Sequence, residues 1–214
     1  RAVSERFPDD ELGGFTSDFG GAYRQVPSDP LQAESFGVTT WDPELRMIAI
    51  FLAVAQLFGS RSAPLNFSRY PDWCAFVCAA LFLVAMGQCI DDLISVERWS
   101  TVSSARTAWL HFAGLCGWDI PLAKSPEPSR RFRALGVFLN LTALPFGCGL
   151  IEPCELRISG IINVLLSIEA SKRLGSGLAS SVCGKLVFTQ SSFVGRFGRA
   201  MMRALRRRCY ENRV

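Results

Sequence analysis

The hydrophobic rhythm of the chain changes partway along. Up to about residue 141, short apolar runs alternate with breaks rich in Gly, Pro and Asp, the spacing of strands and turns. From Glu155 onward, apolar positions recur every three to four residues, the spacing of helices. Residues 15 to 23 alternate weakly and give way at Gly20-Gly21, which predicts a short strand and a tight turn after a polar leading loop over residues 1 to 14. Pro27 and Pro30 bound a loop. Residues 35 to 40 and 45 to 53 read as paired strands around an Asp42-Pro43 turn. A loop over residues 59 to 62 leads to Pro64, where the first turn of a helix accepts proline. That helix is predicted over residues 66 to 83, kinked or broken at Pro71.

Residues 84 to 90 and 93 to 96 flank Asp91-Asp92, a hairpin pattern with two acids at its tip. Ser100 or Thr101 can cap a helix running to about Cys116, closed by Gly117. Residues 132 to 141 form a strand pattern interrupted by Gly136. Helices are predicted over residues 158 to 173, 178 to 189 and 194 to 210, with Gly175 and Gly177 ending the first. The fold class is α+β: an antiparallel sheet with packed helices, then a helical region.

Composition narrows the class. The 214 residues are 49% apolar and 20% charged, which suits a globular protein. Residues 74 to 90 and 47 to 58 are apolar enough to raise a membrane protein as a runner-up. A span needs roughly 20 such residues. The longer run is shorter, holds Gly87 and Gln88, and leads into two carboxylates, so a buried helix entering a buried strand is the better reading. The net charge of +4 permits a nucleic-acid partner without arguing for one. Arg196, Arg199, Arg203, Arg206, Arg207, Arg208 and Arg213 crowd the last stretch against Glu211, and suit phosphate contacts or a solvated helix face equally. The eight cysteines form no C-x-x-C pair, and His111 is the only histidine, which argues against zinc and for a reducing compartment. No basic-then-apolar leader follows Arg1. The expected location is intracellular, cytoplasmic or nuclear, with the reading frame extending upstream.

The candidate chemistry is acidic. Asp18 ends the first strand, and Asp91 and Asp92 sit at the hairpin tip among apolar neighbours, so the three would gather at a sheet rim. Clustered carboxylates raise each other's pKa unless a cation intervenes. Oxygen ligands without His or Cys select Mg2+ or Mn2+, and two such ions roughly 3.5–4 Å apart can clamp an in-line phosphoryl displacement. Taken alone, an Asp-Asp pair between apolar strands is more often an ordinary turn.

The neighbouring motifs change that balance. Asp18-Phe19-Gly20-Gly21-Ala22-Tyr23-Arg24-Gln25-Val26-Pro27 resembles motif A of reverse transcriptases. Leu57-Phe58-Gly59-Ser60-Arg61-Ser62-Ala63-Pro64-Leu65-Asn66-Phe67-Ser68-Arg69 resembles motif B, and Cys89-Ile90-Asp91-Asp92 resembles motif C. Gly117-Trp118 through Lys124-Ser125 is similar to motif D, and Arg131-Phe132-Arg133-Ala134-Leu135-Gly136-Val137 to motif E. Cys183-Gly184-Lys185-Leu186-Val187-Phe188 resembles the Gly-Lys-Leu helix of retroviral thumbs. Each motif is weak alone; the order of five is specific.

The resemblance implies a palm over residues 1 to 144 with a partial fingers insertion at about 31 to 57, then a thumb-like region over residues 145 to 214. It implies that Asp18 and Asp91 ligate two Mg2+ or Mn2+ ions, with Asp92 in support. Tyr23 would lie under the incoming sugar and exclude a 2′-hydroxyl; ordinary core packing is its alternative. Phe58 and Gly59 would lie against the nucleotide and template base, and Lys124 near the triphosphate, although a loop glycine and a surface lysine explain the latter two as well. Leu135, Gly136 and Val137 would form the turn that holds the primer end. Gly184 and Phe188 would track the duplex minor groove, with helix packing as their alternative. The implied partners are an RNA or DNA template with its primer and a dNTP, without a membrane. Cys89 departs from the family's Tyr or Phe beside the primer end, and the family's upstream fingers strands are missing, so this stretch alone is expected to bind metal and nucleic acid weakly. A catalytically inactive relic, acting as a nucleic-acid-binding or structural module, is the other reading.

Overall fold

The computed structural model describes residues 11–31, 35, 37–143, 148–191 and 202–210. The chain divides into two units, Arg1–Phe132 and Arg133–Val214. The first contains, in chain order, β1 (Leu12–Asp18), a 3-10 turn (Ala22–Gln25), β2 (Gly37–Asp42), β3 (Met47–Leu52), α1 (Ala63–Phe82), β4 (Met86–Cys89), β5 (Asp92–Arg98), α2 (Val102–Leu115) and a second 3-10 turn (Leu122–Lys124). The sheet runs β1-β5-β4 and is antiparallel, with Asp18 opposite Asp92 and Cys89 opposite Asp92. The first strand begins at Leu12, inside the stretch expected to be a loop. Its burial explains why: Leu12, Gly13, Gly14 and Phe15 are all buried, so apolar packing outweighs the low strand propensity of the glycines.

Helix α1 buries one narrow stripe, Ala63, Phe67, Pro71, Cys74 and Cys78, at spacings of three and four. The helix runs unbroken through Pro71. Pro71 lies on the packed stripe, so burial offsets its missing N–H. Burial pushes the Cys74 thiol up to about 12 and Cys78 up to about 11, leaving both as unreactive core residues. Helix α2 contributes Val102, Ala105, Trp109 and Ala113. Thr101 stands at its N-cap position but does not cap it; its hydroxyl donates to the Arg98 carbonyl instead. Phe15, Phe19, Phe67, Leu93 and Trp109 fill the core between sheet and helices, with Phe19 edge-on to Phe67 at 5.4 Å.

The β2–β3 hairpin pairs as expected, Thr40 opposite Ala49, with the Asp42 side chain accepting from the Glu44 and Leu45 amides to shape the turn. Residues 1–10, which include most of the expected leading loop, and residues 32–34 of the expected fingers insertion lie outside the described residues.

β6 (Arg131–Ala134) straddles the boundary, and the second unit continues with β7 (Val137–Asn140), β8 (Leu150–Pro153), α3 (Glu155–Ser171), α4 (Ser176–Ser191) and α5 (Arg203–Tyr210). Residues 132 to 141 are therefore a hairpin rather than one interrupted strand. Leu135 (φ 49°) and Gly136 (φ 77°) form its two-residue turn, the left-handed geometry that matches strand twist. β8, which the pattern did not predict, pairs with β7. Of the basic run, Arg203, Arg206, Arg207 and Arg208 lie on α5, whereas Arg196, Arg199 and Arg213, with Glu211, lie outside the described residues. The architecture is mixed α and β with five helices and antiparallel sheets among the described residues, compatible with the α+β class. No described helix is long and apolar enough to cross a membrane.

Candidate active site

Antiparallel pairing of β1 with β5 sets Asp18 directly opposite Asp92, and opposed residues share a face. Cys89 and Asp92 close a two-residue loop made of Ile90 and Asp91. Asp92 is thus the first strand residue, and only Asp91 stands on the tip. Ile90 holds φ 60°, a costly conformation for a β-branched side chain. That strain sits beside the acids, in the place where an Asn-Gly turn would be relaxed.

The acids sense one another. Burial pushes the Asp92 carboxyl above the ordinary range, the charges of Asp91 and Asp18 push it further, and Lys124 pulls it back. The Lys124 ammonium donates to Asp18 Oδ2 at 2.6 Å. Its pKa is raised, first by that hydrogen bond and also by the charges of Asp18, Asp91 and Asp92, while burial opposes the rise. One lysine therefore faces three carboxylates. Asp18 Oδ1 is buried and has no hydrogen-bond partner.

Lys124 arrives from a distant part of the sequence, and two side chains deliver it. Gln25 Nε2 donates to the Gly20 carbonyl at 2.7 Å and to the Asp119 carbonyl at 2.9 Å, and Gln25 Oε1 accepts from the Asp119 amide at 2.7 Å. The Gly20 amide donates to the same Asp119 carbonyl at 2.9 Å. A Cβ on Gly20 would come within 2.6 Å of the Asp119 carboxylate and 3.1 Å of the Pro121 ring, so glycine lets the two segments approach without displacing them. Arg106 on α2 donates to the Ser125 carbonyl and pairs with Glu127 at 2.9 Å, fixing the other end of the turn. Sequence reasoning quoted Gln25 only as a motif letter and did not single out Arg106. The Gln25 amide matching the Gly20 carbonyl and two Asp119 backbone groups 94 residues away has no local signature.

The remaining expected residues divide. Tyr23 is in the core, its ring tilted at 52° to Phe58 at 4.8 Å and edge-on to Phe67 at 5.4 Å. Phe58 is largely exposed beside Gly59, whose φ of 95° demands glycine. Within the second unit, Gly136, Gly184 and Phe188 come together with a residue not anticipated, Arg157. Its guanidinium lies over the Phe188 ring at 4.0 Å, and a Cβ on Gly136 would sit 3.1 Å from both of its terminal nitrogens. Val137 opens β7 opposite Pro153.

A divalent ion can be tested against this set. The donors are hard oxygens, one of them a buried partnerless atom of Asp18, and their like charges are incompletely balanced; this chemistry fits Mg2+ or Mn2+. In the geometry described, no group of three or more His, Cys, Asp or Glu side chains among the described residues is spaced to hold a metal. Lys124, bonded to Asp18, supplies the cation instead.

No protein-family model matches the chain, and no curated protein matches it. Among solved structures, the fold is similar to that of a foamy viral protease-reverse transcriptase in complex with double-stranded DNA. The TM-score is 0.58 at 13% identity, over 85% of this chain and 28% of that one. The chain thus corresponds to under a third of that protein's length, and at this identity the likeness concerns fold alone.

Proposed function

We propose that this chain is the palm and thumb-like part of a reverse transcriptase, transferring a nucleotide from a dNTP to a primer 3′-hydroxyl on an RNA or DNA template. The observation that carries the reading is the register pair Asp18–Asp92, with Asp91 on the adjoining tip and Lys124 on Asp18, in a fold similar to a viral reverse transcriptase. In the reaction, the primer 3′-oxygen bonds to the α-phosphorus, the bond to the β-phosphate oxygen breaks, and pyrophosphate leaves. Asp18, Asp91 and Asp92 would hold two divalent ions, whose chemistry is to acidify the 3′-hydroxyl and neutralise the leaving group. Lys124, already protonated beside the acids, donates a proton to the departing pyrophosphate. Tyr23, braced by Phe58 and Phe67, is too immobile to yield space to a 2′-hydroxyl. Gly59 lets the backbone approach the nascent base pair, the hairpin turn at Leu135, Gly136 and Val137 supports the primer end, and Gly184 and Phe188 face the duplex.

The ion pair favours a second reading. An Asp18 already balanced by Lys124 has less need of a metal, as in a nucleic-acid-binding module without catalysis. Primer extension with Mg2+ and dNTPs on an annealed RNA template separates the two. The polymerase reading expects templated incorporation that Asp91→Asn abolishes. Duplex binding with no incorporation in Mg2+ or Mn2+ would leave the second reading standing.

A further inference from the structure

Helix α1 packs one stripe into the core and leaves the opposite face bare. That face is apolar where a solvated helix would be polar. Leu65 is 75% exposed, Phe76 71% and Leu83, at the C-cap, 85%, and Trp73 is exposed beside them. Single exposed apolar residues need no explanation, but a contiguous patch of them marks a contact surface. Two charges stand within the patch, Arg69 and Asp72, both exposed and neither in an ion pair among the described residues. Leu65, Arg69, Asp72 and Phe76 follow one another at spacings of four, three and four, so they form a single row along the helix.

Reversed, the row is its own complement. Leu65 lies four residues before Arg69, and Phe76 lies four residues after Asp72. An antiparallel second copy of α1 that sets its Asp72 against Arg69 therefore also sets its Phe76 against Leu65, and a two-fold axis repeats both contacts. A parallel copy would set like charge against like. A membrane surface fits less well, because a helix lying on lipid carries basic residues along its polar face, and this row has one charge of each sign. The exposed parts of Leu65, Tyr70, Trp73 and Phe76 amount to roughly 500 Å2 per copy, which with the two charged side chains reaches the low end of specific interfaces. We propose that α1 pairs antiparallel with α1 of a second copy of this chain, through Leu65, Arg69, Asp72 and Phe76, as a reversible homodimer. The pairing uses the face of α1 turned away from the core and does not depend on the polymerase reading.

Exchanging the charges provides the test. Sedimentation velocity follows the full chain between about 1 and 100 µM, where an interface of this size is expected to pass from monomer to dimer. Arg69→Asp leaves two acids in the row and Asp72→Arg leaves two cations, so each variant alone sets like charges across the axis and is expected to weaken self-association by about tenfold or more. Mixed in equal amounts, the two variants bring opposite charges together again, and the mixture is expected to dimerise as the native chain does. Circular dichroism checks that each variant keeps its helix content. Should either unfold, Phe76→Ala carries the test, a weaker dimer supporting the pairing and an unchanged one overturning it. A native chain that stays monomeric up to about 100 µM, folded single variants that dimerise like the native chain, or a mixture of folded variants that stays monomeric would each overturn the proposal.

Discussion

The two units solve opposite electrostatic problems on scaffolds of different stiffness. The first gathers like charges, Asp18, Asp91 and Asp92, at the end of a sheet backed by Phe15, Phe67, Leu93 and Trp109. The second gathers Arg133, Arg157 and Lys185 along helices whose only residue among the largest fully buried side chains is Val182. The carboxylates stand on strands packed against a buried core, whereas the helices of the second unit bury few large side chains among the described residues. The difference is that the acids have a cation within the fold, Lys124 on Asp18, whereas no ion pair among the described residues gives Arg133, Arg157 or Lys185 a carboxylate.

The largest way to break the comparison is to soften the stiff unit. Trp109→Ala should cost about 3–5 kcal/mol, read by urea unfolding, and should lower activity with it. Ile161→Ala on α3 removes a smaller, less completely buried side chain and should cost less, about 2–3 kcal/mol. Equal losses would show that the two scaffolds do not differ as described.

Next in size is the clamp that delivers Lys124. Gln25→Leu removes the side-chain partner of the Gly20 carbonyl and the Asp119 amide, while the Asp119 carbonyl keeps the Gly20 amide, and should cost about 0.5–1.5 kcal/mol. A thermal shift no larger than that of an exposed substitution would mean that the clamp does not hold the turn.

The acids also give a pH signature in metal-free buffer. The folded-state pKa of Asp92 lies above its ordinary 3.8, so the folded chain binds the proton more tightly than the unfolded chain. Stability therefore falls as pH rises from the ordinary value through the raised one, and the loss is complete above it. Asp92→Asn should flatten that window, and Lys124→Met should steepen it, because Lys124 is the group that lowers the Asp92 pKa. The smallest effect is expected in the second unit. Gly184→Ala should stabilise α4 by about 0.5–1 kcal/mol while weakening duplex binding, a combination that ordinary helix packing would not produce.

Much of the frame was legible because its signals are local. The β4–β5 hairpin, the β2–β3 pair and the start of α1 at Pro64 follow from alternation and turn chemistry over a few residues. β8 escaped because four residues at Leu150–Pro153 carry too little pattern, and the turn at Leu135-Gly136 follows from the resemblance but not from the apolar pattern, because a leucine at positive φ is not a turn signal. At Pro71 the local rule allowed a break, and the helix instead continues with Pro71 on its buried stripe. At the site, sequence singled out the acids and Lys124, but not the bond between Lys124 and Asp18. Gln25 and Arg157 went unremarked because each acts through partners distant in sequence.

The central claim is that Asp18, Asp91 and Asp92 act together on a divalent ion, with Lys124 keeping the cation position meanwhile. Mn2+ binding to the full chain, followed by electron paramagnetic resonance, tests it most directly. The account predicts that Asp18→Asn and Asp91→Asn each weaken binding by roughly tenfold or more, since even outer partners of metal ligands change affinity by about 10–100-fold, and that Lys124→Met tightens it. Affinities that are the same in all four proteins would contradict the account.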